Sequence, residues 1–184
     1  MATGATIHRA DLSIADMDRN YYADHPLTIA RHPSETEERL MVRLLAFAVF
    51  ADSALEFGRG ISTDDEPDLW KRDLTGQIEL WIEVGLPEEK WLRKACGRSG
   101  QVVVLAYGGS KADLWWKRNS VDLQRCANLA VLAVPAPAVA GLAALASRAM
   151  RLNVTIQESQ VWIGSATGEV SLQLTVLKPG MAAG

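Results

Sequence analysis

The sequence is poor in the features by which small proteins are most readily sorted. Only two cysteines occur, Cys96 and Cys126, thirty residues apart. Lacking metal-type spacing and any visible base partner, they read as reduced thiols, which argues against a disulfide framework, structural zinc and a cysteine hydrolase. Positive charge is scarce too: 19 Lys and Arg against 22 Asp and Glu give a net charge of −3 and a pI near 5.6. No global field therefore recruits nucleic acid by counterion release, and any polyanionic partner needs a local basic surface. The three histidines, His8, His25 and His32, show no ligand spacing, although His25 and His32 could approach one another if the second strand bends. "YGGSK" (107–111) is too short for a phosphate-cradling loop. The longest apolar stretch, "ANLAVLAVPAPAVAGLAALASRAM", is broken by Pro135 and Pro137 and reads as strand, turn and helix rather than a membrane span. The opening "MATGATIHRADLSIADMDRN" has no basic leader followed by an apolar run, so a soluble, cytoplasmic protein is expected.

What remains is ordinary globular composition, 48% hydrophobic and 22% charged over 184 residues. It predicts a single domain, 1–184, without repeats or low-complexity linkers. "ATIHRADLSIAD" and "YYADHPLTIARHP", joined by "MDRN", predict a long β-hairpin. Ile7 falls on the opposite parity to Leu12 and Ile14, which suggests a bulge. "PSETEERLMVRLLAFAVFADSAL" opens like a helix with Ser34 as cap and Glu37 completing a capping box. Gly58 and Gly60 end that unit and an acidic loop follows. "QIELWIEVG" predicts a strand, and "LPEEKWLRKACG" a helix with Pro87 at its first position and Gly97 beyond its end. "QVVVLAY", "GGSKADLWWKRNSVDL", "CANLAVLAV" and "PAPAVAGLAALASRAM" continue as strand, helix, strand, helix, so an α/β core with parallel strands follows. "RLNVTIQES", "QVWIG" and "EVSLQLTVL" close the chain as antiparallel strands.

The densest chemistry is "DDEPDLW" (64–70), four carboxylates set just before "IELWIEVG" (78–85). Charged groups beside segments destined for burial are costly unless paired or bound to a metal. Each acid also has a plain structural reading: Glu38 serves the helix dipole, Glu83 is a solvated rim charge, Asp68 caps a turn, and Lys94 complements a helix C-terminus. "WWKRN" (115–119) mixes indoles with cations as single-strand binders do, though buried Trp beside solvated Lys and Arg gives the same pattern.

The order of parts, a helix with Glu38, the Pro67–Asp68 pair, a strand with Glu83, a lysine-bearing helix and a second buried strand, is similar to the PD-(D/E)XK nuclease core, here within 34–106. More closely, "ARHPSETEERLMVRLLA", "DDEPDLW", "IELWIEVGLPEE" and "RKAC" resemble the YaeQ family of small bacterial proteins. The resemblance extends over essentially the whole chain. It implies a mixed sheet flanked by helices, with Asp68 and Glu83 holding Mg²⁺ or Mn²⁺, Glu38 nearby, and a lysine beside the attacking water. The motif position for that lysine is Gly85. A helix returning from Pro87 would bring Lys94 ~10 Å back, alongside Glu83, with Lys90 as second choice. Two functions are compatible with this pattern. One is metal-dependent hydrolysis of nucleic-acid phosphodiesters; the other is an inactive relative whose cleft binds a protein or RNA partner. The acidic net charge and the absent in-place lysine favour the second.

Overall fold

A computed structural model describes residues 4–59 and 65–180, so Gly60 and Asp64 of the acidic segment lie outside the described residues. The chain opens with β1 (Thr6–Asp16) and β2 (Tyr21–Arg31), an antiparallel hairpin in unbroken register from Thr6↔Arg31 to Asp16↔Tyr21. No bulge accommodates Ile7; it faces outward and is 52% exposed, while His8, Ala10, Leu12 and Ile14 face inward. Parity is kept because His8 takes the first inward position and donates from Nδ1 to the Ser147 carbonyl, 2.9 Å away.

α1 (Glu37–Val49) follows. Its cap is Thr36, whose hydroxyl accepts from the Arg39 amide, and not Ser34, which bonds instead to His32. The helix starts late because Glu35, two residues after Pro33, is drawn inward by arginines of α1 itself. Every residue from Leu40 to Ala48 is buried. Burial all round follows from the layering described below.

α1 stops at Val49 although the run read as helical continues to Leu55, where β3 (Leu55–Phe57) begins; β4 (Leu69–Arg72) starts inside the segment read as an acidic loop, and both extend the sheet antiparallel from β5 (Ile78–Val84). β4, "LWKR", is too short and too basic to announce itself by alternation. α2 (Glu89–Arg98) begins after Glu88, two residues later than a first-turn Pro87 requires, and contains Gly97. β6 (Ser99–Ala106), α3 (Ser110–Leu123), β7 (Leu129–Ala133) and α4 (Ala136–Ala144) complete the βαβ succession, with β5, β6 and β7 parallel. β8 (Ala149–Gln157), β9 (Gln160–Ser165) and β10 (Gly168–Gln173) form a meander, and β11 (Thr175–Lys178) pairs antiparallel with β7 in the other sheet. The last predicted run is therefore divided between two sheets.

The result is a mixed α+β fold with strand orders β10-β9-β8-β1-β2 and β11-β7-β6-β5-β4-β3. β1 and β8 pair in parallel, which joins the opening hairpin to the closing meander. α1 and α4 lie between the inner face of the five-stranded sheet and one face of the six-stranded sheet, a shared core that includes Leu12, Leu45, Ile82, Val103 and Leu152. α2 and α3 cover the opposite face, against Trp81, Val102, Val104 and Val131. No helix of the described residues is long and apolar enough to cross a membrane.

One turn depends on a long-range contact. Glu158 and Ser159, between β8 and β9, both hold positive φ (51° and 62°), which disfavours residues other than glycine. Both amides donate to the Asp18 carboxylate in the β1–β2 turn, at 2.7 and 2.8 Å, and this offsets the strain.

Candidate functional site

Register places the two central acids together. β4 and β5 pair as Leu69↔Ile82, so Asp68, one residue before, falls opposite Glu83, one residue after. Asp68 is 4% exposed. Its Oδ2 accepts from the Val84 amide at 2.7 Å, and its Oδ1 accepts from the Arg39 guanidinium. Gly58 makes this approach feasible. Its amide donates to the Asp68 carbonyl, and a Cβ there would stand 1.9 Å from the Pro67 carbonyl oxygen.

The Glu83 carboxyl belongs to the residue that the β4–β5 register sets opposite Asp68, and it accepts from Trp81 Nε1 at 2.8 Å. Burial and the neighbouring Asp68 charge push it up to about 8, against opposing contributions from Trp81 and Arg39. Near neutral pH, Glu83 is therefore largely a neutral acid, the outcome expected when two carboxyls share a poorly solvated site.

Behind this pair runs a chain of charges that sequence reasoning missed. Arg39 bridges Asp68 and Glu35, the latter at 3.0 Å, and Arg43 grips Glu35 through Nε and Nη2, both at 2.8 Å. Glu35 and Arg43 are 4% and 2% exposed. Arg43 also donates to the Ala30 carbonyl of β2 at 3.0 Å, so the chain connects the opening hairpin through α1 to β4 and β5. Burial pulls the Arg39 pKa down, but Asp68 and Glu35 more than reverse this, and its guanidinium stays charged. The signal is present in the sequence as Glu35, Arg39 and Arg43 at four-residue spacing, a single helical face.

Of the other predicted site residues, Glu38 is exposed and lines a cleft of about 560 Å³ with Thr36, Gly85, Tyr107 and Lys111. This cleft opens where the parallel strands β5 and β6 end, the position at which open α/β sheets bind ligands. Asp68 and Glu83 do not line it. Tyr107 lines the cleft within the field of both groups of charges: burial raises its phenol, Arg39 and Thr36 oppose that, and Asp68 and Glu38 add to it. Lys94 does not approach Glu83. It pairs with Asp65 at 3.3 Å and lies over the Trp91 ring, while Lys90 pairs with Glu88 at 3.2 Å. The cation beside the acid pair is Arg39, and the amine lining the cleft is Lys111. Gly85 explains why no lysine occupies the motif position, since its φ of +107° is one that a lysine adopts only with strain.

The histidines take separate partners: His8 at Ser147, His25 between Tyr21 and Phe47, and His32 at Ser34. Cys96 and Cys126 are free thiols, and burial, with Cys126 adjacent, pushes Cys96 up to about 12. Among the described residues no cluster of three or more His, Cys, Asp or Glu is placed to hold a metal ion.

A mixed α+β protein with an arginine-neutralised carboxyl pair behind a strand-end cleft is the class that fold and site define. The family model described as YaeQ protein matches residues 1–174, and the chain belongs to the YaeQ family. It is 43% identical over 175 residues to the YaeQ protein of Salmonella typhi, covering 95% of this chain and 97% of that one. With the YaeQ protein of Escherichia coli K12 the identity is 42% at the same coverage, and both relatives bear the name uncharacterized protein YaeQ. The crystal structure of the YaeQ protein from Xanthomonas axonopodis pv. citri is 53% identical and superposes with a TM-score of 0.92, covering 95% of this chain and 98% of that one. The YaeQ structure from Pseudomonas syringae gives 0.92 at 36% identity, covering 97% and 98%.

Proposed function

We propose that the acid pair and its cleft form the active site of a metal-dependent phosphodiester hydrolase with a variant PD-(D/E)XK core. The observation that carries this reading is the forced meeting of Asp68 and Glu83. Two neighbouring carboxyls in a poorly solvated site, Asp68 buried and Glu83 half-buried and driven to about 8, would be relieved by a divalent cation in place of the Glu83 proton.

The donor set fits Mg²⁺ or Mn²⁺ with retained waters, because such ions bind through one or two carboxylates and do not require a complete protein cage. Asp68 and Glu83 would hold the ion. It would supply polarisation of a phosphoryl oxygen and acidification of a bound water. The chain's own residues do the remainder. Arg39 fixes the Asp68 carboxylate and contributes positive charge, and Tyr107, Lys111 and Glu38 line the space a phosphodiester would enter.

A second reading, a catalytically silent relative that uses the cleft for binding, is favoured by one specific observation. Two arginines already balance Glu35 and Asp68, so with Glu83 protonated the network is neutral without any cation. Calorimetric titration with Mn²⁺ and cleavage assays on DNA and RNA separate the two. Hydrolysis requires heat of binding that disappears in Asp68→Asn, and cleavage that disappears in both Asp68→Asn and Glu83→Gln. Absence of Mn²⁺ binding by the parent protein overturns the hydrolase.

A further inference from the structure

The α2–α3 layer is a basic region of an acidic protein, laid over an indole-rich core. Residues 88–125 hold eight Lys and Arg against four Asp and Glu, whereas the rest of the chain holds eleven against eighteen. Five of the six tryptophans fall between positions 70 and 116. They are interleaved with cations: Arg72 lies 4.4 Å from the Trp70 ring centre, Arg98 5.3 Å from that of Trp81, and Lys90 and Lys94 5.0 and 5.5 Å from that of Trp91.

α3 carries the more telling pattern. Leu114, Lys117, Arg118 and Val121 stand at i, i+3, i+4 and i+7, one stripe of a helix, and all are exposed, Leu114 at 47% and Val121 at 75%. Lys111 precedes the stripe by one turn and lines the cleft; from Lys111 to Val121 the helix rises about 15 Å. Lys111, Lys117 and Arg118 form no ion pair among the described residues, while the α2 cations Lys90, Arg93, Lys94 and Arg98 all do. A surface helix displaying unpaired cations between exposed apolar side chains has charge for phosphates and apolar contact for base faces.

We infer that the α3 stripe binds single-stranded nucleic acid and delivers it at Lys111 to the cleft. A single strand fits better than a duplex because Leu114 and Val121 can meet base faces only where the bases are unpaired. This names the substrate class of the proposed hydrolase and rests on that reading for the strand's destination, but binding needs none of its chemistry.

The test is fluorescence anisotropy of a labelled mixed-sequence DNA or RNA single strand in EDTA across a salt series. Affinity should fall with salt. Lys117→Glu with Arg118→Glu should weaken it about tenfold or more and make the log–log salt slope shallower by roughly 0.7 for each phosphate that is no longer neutralised. Leu114→Ser with Val121→Ser should weaken binding with the slope unchanged. Arg9→Glu with Arg151→Glu, exposed on the five-stranded sheet, should have no effect. Circular dichroism and melting temperatures establish that each variant is folded. The inference is overturned if the parent does not bind at low salt, if the α3 reversal binds like the parent, or if duplex DNA or polyglutamate competes as well as the strand. Turnover of bis(p-nitrophenyl) phosphate with Mn²⁺ keeps the two proposals distinct. Turnover without strand binding removes this one alone, and strand binding without any cleavage removes the hydrolase alone.

Discussion

α1 and α3 are nearly equal in length, 13 and 14 residues, and treat charge in opposite ways. α1 lies between two sheets, and its Arg39 and Arg43 are locked to Glu35 and Asp68 with little access to water. α3 lies on the outside, and Lys111, Lys117 and Arg118 pair with no carboxylate among the described residues. Buried charge must be satisfied by the protein itself and becomes part of its architecture. Exposed charge can be left for something else to satisfy. The difference separates residues whose loss should unfold the protein from residues whose loss should change only what it binds.

The largest effect is expected in α1. Arg43→Ala leaves Glu35 buried with one cation fewer and removes the donor to Ala30, so it should destabilise the fold by about 3–5 kcal/mol in urea or guanidinium unfolding. Replacing Glu35 and Arg43 together with apolar residues of similar size should recover much of that loss. A double replacement as damaging as Arg43→Ala alone would mean that the network does not act as a paired unit.

Next in size is the pH dependence of Glu83. Its folded pKa, about 8, lies above its ordinary 4.5, so between those values the unfolded chain releases a proton that the folded chain keeps. The contribution is fully present below pH 4.5 and is lost as pH rises through about 8. Glu83→Gln cannot ionise. The stability of the parent relative to this variant should therefore decline by a few kcal/mol across that window and be level on either side of it. A flat difference would show that Glu83 ionises normally and that the acid pair is not held together.

A smaller, local effect tests how Asp68 is placed. Gly58→Ala puts a methyl group where the Pro67 carbonyl stands, 1.9 Å from its oxygen, so backbone must move. About 1–3 kcal/mol of destabilisation is expected, as for other overpacked sites. It should be accompanied by weaker Mn²⁺ binding, whereas Gly97→Ala, inside α2 with nothing within 4 Å of the added carbon, should raise stability by roughly 0.5–1 kcal/mol and leave Mn²⁺ binding unchanged.

How much of this can be read from the residues follows the same division between inside and outside. The long hairpin, α1, the parallel strands β5, β6 and β7 and the closing meander are strongly periodic and legible. β3 and β4 are not, because three- and four-residue strands take their structure from the neighbour they pair with rather than from their own pattern. The convergence of Asp68 and Glu83 can be inferred from the order of the parts. The cation facing them cannot: a helix carrying Lys94 back along β5 satisfies chain geometry, but the side chain reaches outward to Asp65 and Trp91. Arg39 escapes notice because an arginine in a first turn reads as solvated, and only the depth of Glu35 and Asp68 draws it in.

The smallest stability effect belongs to α3 and decides whether the contrast holds. Lys117 and Arg118 pair with no carboxylate among the described residues and sit in a helix whose buried side chains are Ala112 and Leu123. Reversing both charges breaks no ion pair among the described residues. Unfolding free energy should therefore change by no more than roughly 0.5 kcal/mol, as at ordinary surface positions. Any shift should be a slight loss, because the introduced carboxylates face Asp113 and Asp122 at four-residue spacing on the same helix. A larger loss would mean that these cations serve the fold as Arg39 and Arg43 do. The opposed treatment of charge by the two helices would then be an accident of exposure rather than a division between structure and recognition.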